Sequence, residues 1–249
     1  MKENVYGYIH SFQSLGAVDG PGLRCVVFMQ GCPLRCAYCH NPDTWALPKD
    51  APGCRKVTPQ AMVEKILRYK AYLKNGGVTV SGGEAMMQPD FVRELFKLLK
   101  EKGIHTALDT SCVGDLKAAE QVLEYTDLVL ADLKFCEPES YKKYCGASMD
   151  QVLKFLELTR TMNVDLWIRH VVVPGLNDSR DQIFKIGQIA SGFTNLKKLE
   201  LLPFRKICMS KYEQMGIDFP LKDYDACDEK HIKDLETFLK RELGEKLPV

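Results

Sequence analysis

Six short apolar runs, each followed by a helical pattern, constrain the fold of this chain more than any other feature. The runs are nearly continuous, and this is typical of parallel strands that are covered on both faces. Because strand and helix alternate six times, the sequence predicts right-handed βαβ units and a parallel α/β sheet. The predicted strands are residues 23–30, 77–82, 105–110, 127–133, 165–173 and 196–202.

Helical period and terminal signals predict the helices between these strands. Thr58 and Pro59 have the residue types of an N-cap and a first helical position, and Gly103 has that of a C-terminal stop. The predicted helices are residues 58–73, 88–103, 115–125, 149–162, 179–191 and 228–243. The interval 40–58 is rich in proline and predicts a long irregular loop, which in a compact domain favours a functional role.

A chain of 249 residues, 45% of them hydrophobic, can bury one sizeable core. No linker or internal repeat divides it, so we predict a single domain over residues 1–249. Six βα units fit either an open, partial barrel or a doubly wound sheet. The partial barrel is favoured because most of the notable polar residues follow the carboxyl ends of predicted strands, where parallel barrels gather their reactive groups.

Composition excludes several classes of function. Thirty-four Lys and Arg residues are interspersed with thirty-three Asp and Glu residues, so the net charge of +1 predicts neither nucleic-acid nor membrane binding. The absence of a long apolar run predicts a soluble, cytoplasmic protein. In such a protein, clustered cysteines favour metal binding or catalysis over disulfides. The seven scattered cysteines are interpreted as ordinary small residues: 25, 54, 112, 136, 145, 208 and 227.

The stretch "GCPLRCAYCHN" places Cys32, Cys36 and Cys39 in a C-x3-C-x2-C pattern. Closed zinc sites have four ligands, and four-iron clusters normally take one cysteine per iron. Three cysteines on a four-iron cluster would therefore leave one iron open to another ligand. Three unrelated thiols, or a zinc site built on three cysteines, are the alternatives. Gly31 and Pro33 suit a tight loop around a cluster.

With Tyr38 as its aromatic residue, C-x3-C-x-aromatic-C resembles the first motif of the radical S-adenosylmethionine (radical SAM) enzymes, and "TVSGGEAMMQ" resembles their second. Nearly the whole chain is similar to the family of pyruvate formate-lyase activating enzymes. The stretches that carry this resemblance are "IHSFQSLGAVDGPGLR", "DTWALP", "GIHTALDTS", "TDLVLADLK", "WIRHVVVPG" and "LELLPF".

The resemblance implies a partial (β/α)6 barrel of parallel strands. It also implies that Cys32, Cys36 and Cys39 bind a [4Fe–4S] cluster whose open iron is chelated by S-adenosylmethionine. The activity implied is reductive cleavage of S-adenosylmethionine to a 5′-deoxyadenosyl radical. That radical would abstract a hydrogen from a specific glycine of pyruvate formate-lyase or a close glycyl-radical enzyme.

The resemblance also assigns cofactor-binding residues near the second motif. Tyr38 is counted among them, Gly82 and Gly83 would let the backbone approach the methionine part, and Glu84 would lie near its ammonium group. Without the resemblance, a Gly-Gly-Glu sequence is also compatible with a turn that carries a solvated carboxylate.

Six further positions are implied by the same resemblance. They are Asp109, Thr110 and Asp132 for a monovalent cation (Na⁺ or K⁺) beside the cofactor, Lys134 and Arg169 for its ribose and carboxylate side, and Arg205 for a ribose contact. The aspartates could otherwise cap helices, and the basic residues could be surface charges. Arg205 departs from the family pattern, which has His there, and Arg cannot accept a hydrogen bond.

The loop 16–24 would meet the protein substrate, with Asp19 near the target glycine, although a plain turn is the alternative. Between Cys39 and the Gly-Gly-Glu motif there is only Cys54, so no ferredoxin-like insert and no second cluster are expected. The family implies flavodoxin or ferredoxin as electron donor and a monomeric enzyme. Two other functions remain open: a radical enzyme acting on a small molecule or nucleoside, and an iron–sulfur electron carrier or zinc-binding module.

Overall fold

The computed structural model describes residues 5–48, 51, 53–244 and 247–249. The strands are β1 (Gly7–Gly16), β2 (Arg24–Met29), β3 (Arg55–Val57), β4 (Gly77–Gly82), β5 (Thr106–Thr110), β6 (Leu128–Asp132), β7 (Asp165–Val172) and β8 (Leu196–Pro203). Within these residues the eight strands form one sheet in the order β3-β1-β2-β4-β5-β6-β7-β8. β2 and β4 to β8 are parallel, while β1 is antiparallel to both β2 and β3.

The six parallel strands confirm the predicted open, partial (β/α)6 barrel, because the sheet ends at β3 and β8 and does not close. β1 and β3 were not predicted. β1 alternates between buried and more exposed positions along most of its length, and β3 has three residues that are exposed or half-buried. Neither strand has the continuous apolar character by which the other six were recognised.

The helices are α1 (Pro59–Leu67), α2 (Pro89–Glu101), α3 (Leu116–Leu123), α4 (Pro138–Cys145), α5 (Met149–Thr161), α6 (Arg180–Ser191), α7 (Met209–Gln214) and α8 (Glu229–Leu243). The side chain of Thr58 accepts a hydrogen bond from the amide of Ala61, as an N-cap does. Gly103 follows α2 with a φ of +67°, as expected of a C-terminal stop. The helix predicted over 58–73 ends earlier, at Leu67, and a short 3₁₀ turn follows. The sequence missed α4 and α7.

The core lies between the sheet and the surrounding helices. The predicted inner face of α2 is buried, and each such side chain contributes about 1.5 to 3 kcal/mol when it leaves water. This face consists of Phe91, Val92, Leu95, Phe96 and Leu99. No helix among the described residues is both long and apolar enough to span a bilayer.

Strand register decides which loops meet. Met29 at the end of β2 lies opposite Gly82 at the end of β4, so the cysteine loop begins beside the Gly-Gly-Glu motif. Asp132 at the end of β6 lies opposite Arg169 in β7. The parallel sheet therefore brings the predicted site residues together at one edge.

A buried arginine fixes the loop that precedes β2. Arg24 is fully buried, and its guanidinium donates to the hydroxyl of Thr79 at 2.6 Å, to the carbonyl of Val78 at 2.8 Å and to the carbonyl of Pro21 at 3.1 Å. Thr79 in turn donates to the carbonyl of Asp19 at 2.6 Å. Burial lowers the pKa of Arg24 to about 10, so it stays charged at neutral pH.

Candidate active site

The carboxyl ends of the parallel strands surround a cavity of about 400 Å³. Twelve of the fourteen site residues predicted from the sequence line it: Asp19, Cys32, Cys36, Tyr38, Cys39, Gly82, Gly83, Asp109, Thr110, Asp132, Lys134 and Arg169. Glu84 and Arg205 do not. The structure thus gathers residues from the cysteine loop, from β4 to β7 and from the loop before β2 around one space.

The cysteine loop is held to the end of α4 by its backbone. The amide of Arg35 donates to the carbonyl of Cys145 at 3.3 Å, and the amide of Ala37 donates to the carbonyl of Tyr144 at 2.7 Å. These two bonds lie on either side of Cys36. The backbone of the loop is therefore fixed by protein contacts on both sides of its central cysteine.

The three thiols differ in their environment. Burial raises the pKa of Cys32 to about 12 and also raises the pKa of Cys39. The pKa of Cys36 is lowered to about 7, chiefly because the thiol of Cys145 donates a hydrogen bond to its sulfur. Metal binding requires the thiolate form and releases the thiol protons, so binding at Cys32 and Cys39 must also offset their raised pKa values.

The cysteine arrangement fits a cluster better than a single ion. Over the described ranges, no three His, Cys, Asp or Glu side chains converge closely enough to hold one metal ion. Cys32, Cys36 and Cys39 instead line a shared cavity. His40, the adjacent candidate for a fourth ligand, hydrogen-bonds through Nε2 to the carbonyl of Arg205 at 2.9 Å. The donor set is therefore three thiols around one space, and in their thiolate form they would suit a [4Fe–4S] cluster with one open iron.

Gly82 and Gly83 are required by the close approach of two backbones. A Cβ on Gly82 would lie 2.2 Å from the amide nitrogen of Met29, and one on Gly83 would lie 2.3 Å from the carbonyl oxygen of Gly31. The amide of Gly83 donates to the carbonyl of Met29 at 3.0 Å, and that of Glu84 to the carbonyl of Gly31 at 2.9 Å. The two glycines join the second motif directly to the start of the cysteine loop.

Glu84 is buried beneath the cavity and fully engaged. Its carboxylate accepts hydrogen bonds from the amide of Met86 at 2.9 Å, the hydroxyl of Thr110 at 2.7 Å, the amide of Ser111 at 2.8 Å and the hydroxyl of Ser111. Burial raises the pKa of Glu84 by more than these hydrogen bonds lower it, so the net shift is upward. Two carboxylate oxygens offer about four acceptor positions, so none is left for a ligand ammonium group.

Two carboxylates and two cations form a charged row along the cavity. Arg169 donates to Asp109 and, at 3.4 Å, to Asp132. Lys134 donates to the other oxygen of Asp132 at 2.8 Å, and the hydroxyl of Ser81 donates to Asp109 at 2.6 Å. The row is internally paired, so Lys134 and Arg169 are held in place before any ligand arrives.

Burial and pairing act differently on the two acids. Burial raises the pKa of Asp109 to about 6, although the charge of Arg169 opposes this. Burial also acts to raise the pKa of Asp132, but Lys134 and Arg169 outweigh it and the net shift is downward. The oxygens expected to hold Na⁺ or K⁺ are occupied by these partners, so the monovalent cation stays a prediction.

An unsatisfied donor in the charged row fits an anionic ligand group. Nε of Arg169 is buried and has no hydrogen-bond partner in the described part of the chain. A buried donor without a partner costs about 1 to 3 kcal/mol, and the carboxylate of a ligand in the cavity would satisfy it. Tyr38 is buried beside Lys134, whose Nζ lies 5.8 Å from the centre of its ring, and it packs against Phe135 with centroids 6.2 Å apart.

The loop before β2 reaches the cavity. Asp19 lies on the wall, where burial raises its pKa and Arg169 and Arg24 lower it. The adjacent Val18 also lines the cavity while 81% of its surface is exposed. This places an apolar side chain and a carboxylate at the cavity opening.

Arg205 lies outside the cavity. It is exposed and forms an ion pair with Glu229. The geometry gives no support to the predicted ribose contact, because the guanidinium is directed to a partner on α8.

Sequence reasoning missed several residues that build the site. Ser81 and Ser111 orient Asp109 and Glu84, and their position next to the recognised motifs was a usable signal. Lys211 on α7 donates to Asn41 and Asp43, both at 3.0 Å, and Tyr212 donates to the carbonyl of Cys39 at 3.2 Å. α7 has only six residues and no clear apolar period, so its role could not be read from the sequence.

Comparison with known proteins gives concordant results. The family described as the Radical SAM superfamily matches residues 26–186. The pyruvate formate-lyase-activating enzyme of Clostridium pasteurianum is 45% identical over 238 residues, which cover 95% of this chain and 98% of the relative. The enzyme of the same name from Staphylococcus aureus (strain USA300) is 43% identical, covering 91% of this chain and 92% of the relative.

Solved structures share the fold. A domain of a pyruvate-formate lyase-activating enzyme from Bacteroides vulgatus ATCC 8482 has a TM-score of 0.54 at 20% identity and covers 67% of this chain and 94% of that one. Streptococcus suis SuiB bound to S-adenosylmethionine has a TM-score of 0.63 at 15% identity and covers 87% of this chain and 47% of that one. At these identities the likeness concerns the fold alone.

Proposed function

Because the chain belongs to the radical SAM superfamily and, within it, to the family of the pyruvate formate-lyase-activating enzymes, we propose that it activates a glycyl-radical enzyme. The substrate is a specific glycine of pyruvate formate-lyase or a close homologue. When bound, the [4Fe–4S] cluster and S-adenosylmethionine supply the reductive cleavage whose 5′-deoxyadenosyl radical removes a hydrogen atom from that glycine.

One observation carries the proposal. Among the lining residues that the structure describes, three are cysteines, and they share the cavity with the charged row and the Gly-Gly pair. Three thiolates leave one iron of a four-iron cluster open. The same cavity offers cations suited to the carboxylate of S-adenosylmethionine.

The protein's own residues would bind and orient the cluster and S-adenosylmethionine. Cys32, Cys36 and Cys39 would hold the cluster. Lys134 and Arg169, which their aspartate partners keep in position, would bind the carboxylate and ribose side of S-adenosylmethionine. Preorganised charges of this kind need no rearrangement at the moment of reaction.

Glu84 would act on the cofactor only through Ser111 and Thr110, which it holds at the cavity wall. The loop that carries Asp19 would receive the substrate glycine, with Arg24 and Thr79 fixing its backbone. We further propose a single radical SAM domain over residues 1–249, a monomeric enzyme, and flavodoxin or ferredoxin as electron donor.

An anaerobic experiment tests the function. The protein is reconstituted with iron and sulfide and reduced, and its EPR spectrum is recorded with and without S-adenosylmethionine. We expect a four-iron signal that changes on adding S-adenosylmethionine and is lost in Cys36→Ala. Cys54→Ala is the matched control, because Cys54 does not line the cavity.

A second step tests the substrate. Adding a purified glycyl-radical enzyme should produce the EPR doublet of a glycyl radical. Cleavage of S-adenosylmethionine without that doublet would favour a small-molecule substrate. A zinc-containing protein, or a cluster signal that ignores S-adenosylmethionine, would overturn the enzymatic function.

A further inference from the structure

Tyr141 lies in α4 and belongs to neither of the two sequence motifs, yet it bonds to the backbone of the charged row. Its side chain is fully buried. The hydroxyl accepts a hydrogen bond from the amide of Lys134 at 2.7 Å and donates one to the carbonyl of Asp132 at 3.3 Å. One phenol therefore bridges the backbone on both sides of the residue between them.

The register of the sheet explains why the turn after β6 needs this partner. The ladder between β5 and β6 ends at Ala131, one residue before Asp132. On the β7 side the contacts continue: the amide of Leu133 donates to the carbonyl of Arg169 at 2.9 Å, and Nδ1 of His170 donates to the carbonyl of Leu133 at 2.7 Å. Because buried backbone groups need hydrogen-bond partners, the phenol takes the place of the missing strand neighbour.

The position of this turn decides where two side chains of the charged row lie. Nζ of Lys134 donates to the carboxylate of Asp132 at 2.8 Å and lies 5.8 Å from the centre of the ring of Tyr38. Lysine has a long, flexible stem, so its ammonium group stays in one place only if its backbone and its partner are both fixed. The bridge from Tyr141 fixes the backbone of both members of this ion pair.

The phenol is itself held in place. Its ring meets Phe135 edge-on with centroids 6.1 Å apart, and Phe135 stacks on Tyr144 of the same helix at 5.3 Å. The carbonyl of Tyr144 accepts the hydrogen bond from Ala37 in the cysteine loop at 2.7 Å. α4 therefore contacts both the cysteine loop and the turn after β6.

A ligand binds more tightly to groups that are already in position, because less conformational freedom is lost on binding. Resting on the function proposed above, we infer that the hydroxyl of Tyr141 is a positioning group for S-adenosylmethionine: it fixes Lys134, paired with Asp132, where Lys134 binds the cofactor. Tyr141 does not line the cavity, so it acts through Lys134 and not by contact with the cofactor.

The test is a double-mutant cycle on the binding of S-adenosylmethionine, measured by anaerobic equilibrium dialysis with the reconstituted, unreduced protein. Tyr141→Phe removes the hydroxyl and keeps the ring. We expect the dissociation constant to rise about fivefold, the size expected for one hydrogen bond. Adding Tyr141→Phe to Lys134→Ala should cause no further rise, because the effects of residues that act through one another are not additive.

Thr126→Val is the matched control. The hydroxyl of Thr126 is buried and donates to the carbonyl of Val122 at 2.9 Å, and Thr126 does not line the cavity. This variant also loses a buried hydroxyl and its hydrogen bond to the backbone. Its melting temperature should therefore fall, while its dissociation constant for S-adenosylmethionine should equal that of the wild type.

A second measurement uses the wild type and does not depend on the folding of a variant. Hydrogen exchange followed by mass spectrometry should show that residues 132–135 are protected before S-adenosylmethionine is added. Tyr141→Phe should exchange faster in the same segment.

Three results would overturn the inference: rapid exchange of residues 132–135 in the wild type, an unchanged dissociation constant in Tyr141→Phe, or a full additional loss of affinity in the double variant. A wild-type protein that forms no cluster, or does not bind S-adenosylmethionine, would instead refute the proposed function, so the two failures are distinguishable.

Discussion

At the scale of single residues, Glu84 is a carboxylate whose acceptor positions are all used by the protein. Its four hydrogen bonds connect the loop after β4 with the loop after β5. Each of those loops contributes cavity-lining residues. By joining these two loops, Glu84 holds the residues of the cavity wall in position.

The variant Glu84→Gln distinguishes this structural role of Glu84 from direct contact with the ammonium group of S-adenosylmethionine. The amide nitrogen of Gln cannot accept the hydrogen bonds that one carboxylate oxygen now accepts, so we expect the free energy of unfolding to fall by about 1 to 3 kcal/mol. Urea denaturation in the absence of S-adenosylmethionine measures this free energy of unfolding. Glu120→Gln, at an exposed position of α3, should change little. An unaltered stability with weaker binding of S-adenosylmethionine would assign Glu84 to the ligand instead.

Gly83→Ala tests the close approach of the two motifs. The new Cβ would meet backbone oxygens of Gly31 at 2.3 Å and Thr44 at 3.0 Å, neither of which can move without displacing the cysteine loop. We expect lower iron content after reconstitution and a lower melting temperature. Gly103→Ala is the comparison: it has a positive φ but open space around it, so it should cost stability and leave iron content unchanged. Full iron loading of Gly83→Ala would contradict the assignment.

The candidate residues could be predicted from the sequence only where they belong to a motif. Cys32, Cys36, Cys39 and the glycine pair follow a spacing, and the structure places them around one cavity. What the spacing could not convey is the direction in which a side chain points. The resemblance assigns Glu84 and Arg205 to the cofactor; in the structure Glu84 accepts hydrogen bonds from Ser111 and Thr110, and Arg205 pairs with Glu229, so both assignments stay predictions. Those partners lie far away in sequence and become neighbours only through the fold.

At the scale of the elements, the residues between α3 and β6 connect neighbouring units of the barrel. Asp127 accepts hydrogen bonds from the amide of Thr106 at 2.9 Å and from Lys100 near the end of α2. Burial acts to raise its pKa, but these two donors outweigh it and the net shift is downward. One carboxylate thus ties α2 and β5 to the start of β6.

We expect Asp127→Asn to lower the free energy of unfolding in a pH-dependent way. Because the folded-state pKa is depressed, the carboxylate stabilises the protein above its unfolded pKa, and this contribution is lost as pH falls through the folded value. We expect a loss of about 1 kcal/mol at pH 7 that fades below about pH 4. Denaturation curves at pH 7 and pH 3 measure it. Asp150→Asn, in an exposed pair with Lys154, should have almost no effect, and a loss that is equal at both pH values would refute the assignment.

Elements were predictable in proportion to their apolar pattern. The six parallel strands are continuous and buried, and all were found within one or two residues. β1, β3 and α7 carry mixed patterns: β3 is a three-residue edge strand, β1 pairs with β2 and β3 on the same side of the sheet, and α7 contacts the loop after the cysteines. α4 was missed although Pro138 at its start and Gly146 at its end are ordinary helix signals. Its short length left too few apolar positions to show a period.

At the scale of the whole molecule, the protein itself supplies contacts that hold the cysteine loop in place. The cysteine loop is anchored by backbone bonds to α4, and Gly31 donates to the carbonyl of Thr44 at 2.9 Å. A core of this size supplies most of the stability, in contrast to zinc fingers, which are unfolded without metal.

Removing the cluster therefore should leave the fold intact. We expect the cluster-free protein to keep its far-UV circular dichroism and a cooperative thermal transition, with the melting temperature lowered because a ligand of the native state is lost. The measurement compares reconstituted and chelator-treated protein under argon. A spectrum of an unfolded chain after chelation would show that the cluster is part of the core.

The contact of α7 with the cysteine loop has a consequence for the synthesis of the protein on the ribosome. Lys211 reaches Asn41 across 170 positions of sequence. At ordinary rates of translation, roughly ten to thirty seconds separate the synthesis of these two segments on the ribosome. During that interval the three cysteines are already made, while the helix that contacts the backbone of Cys39 and the side chains of Asn41 and Asp43 is not. The cysteine loop therefore lacks its contacts with α7 until the last part of the chain has been made.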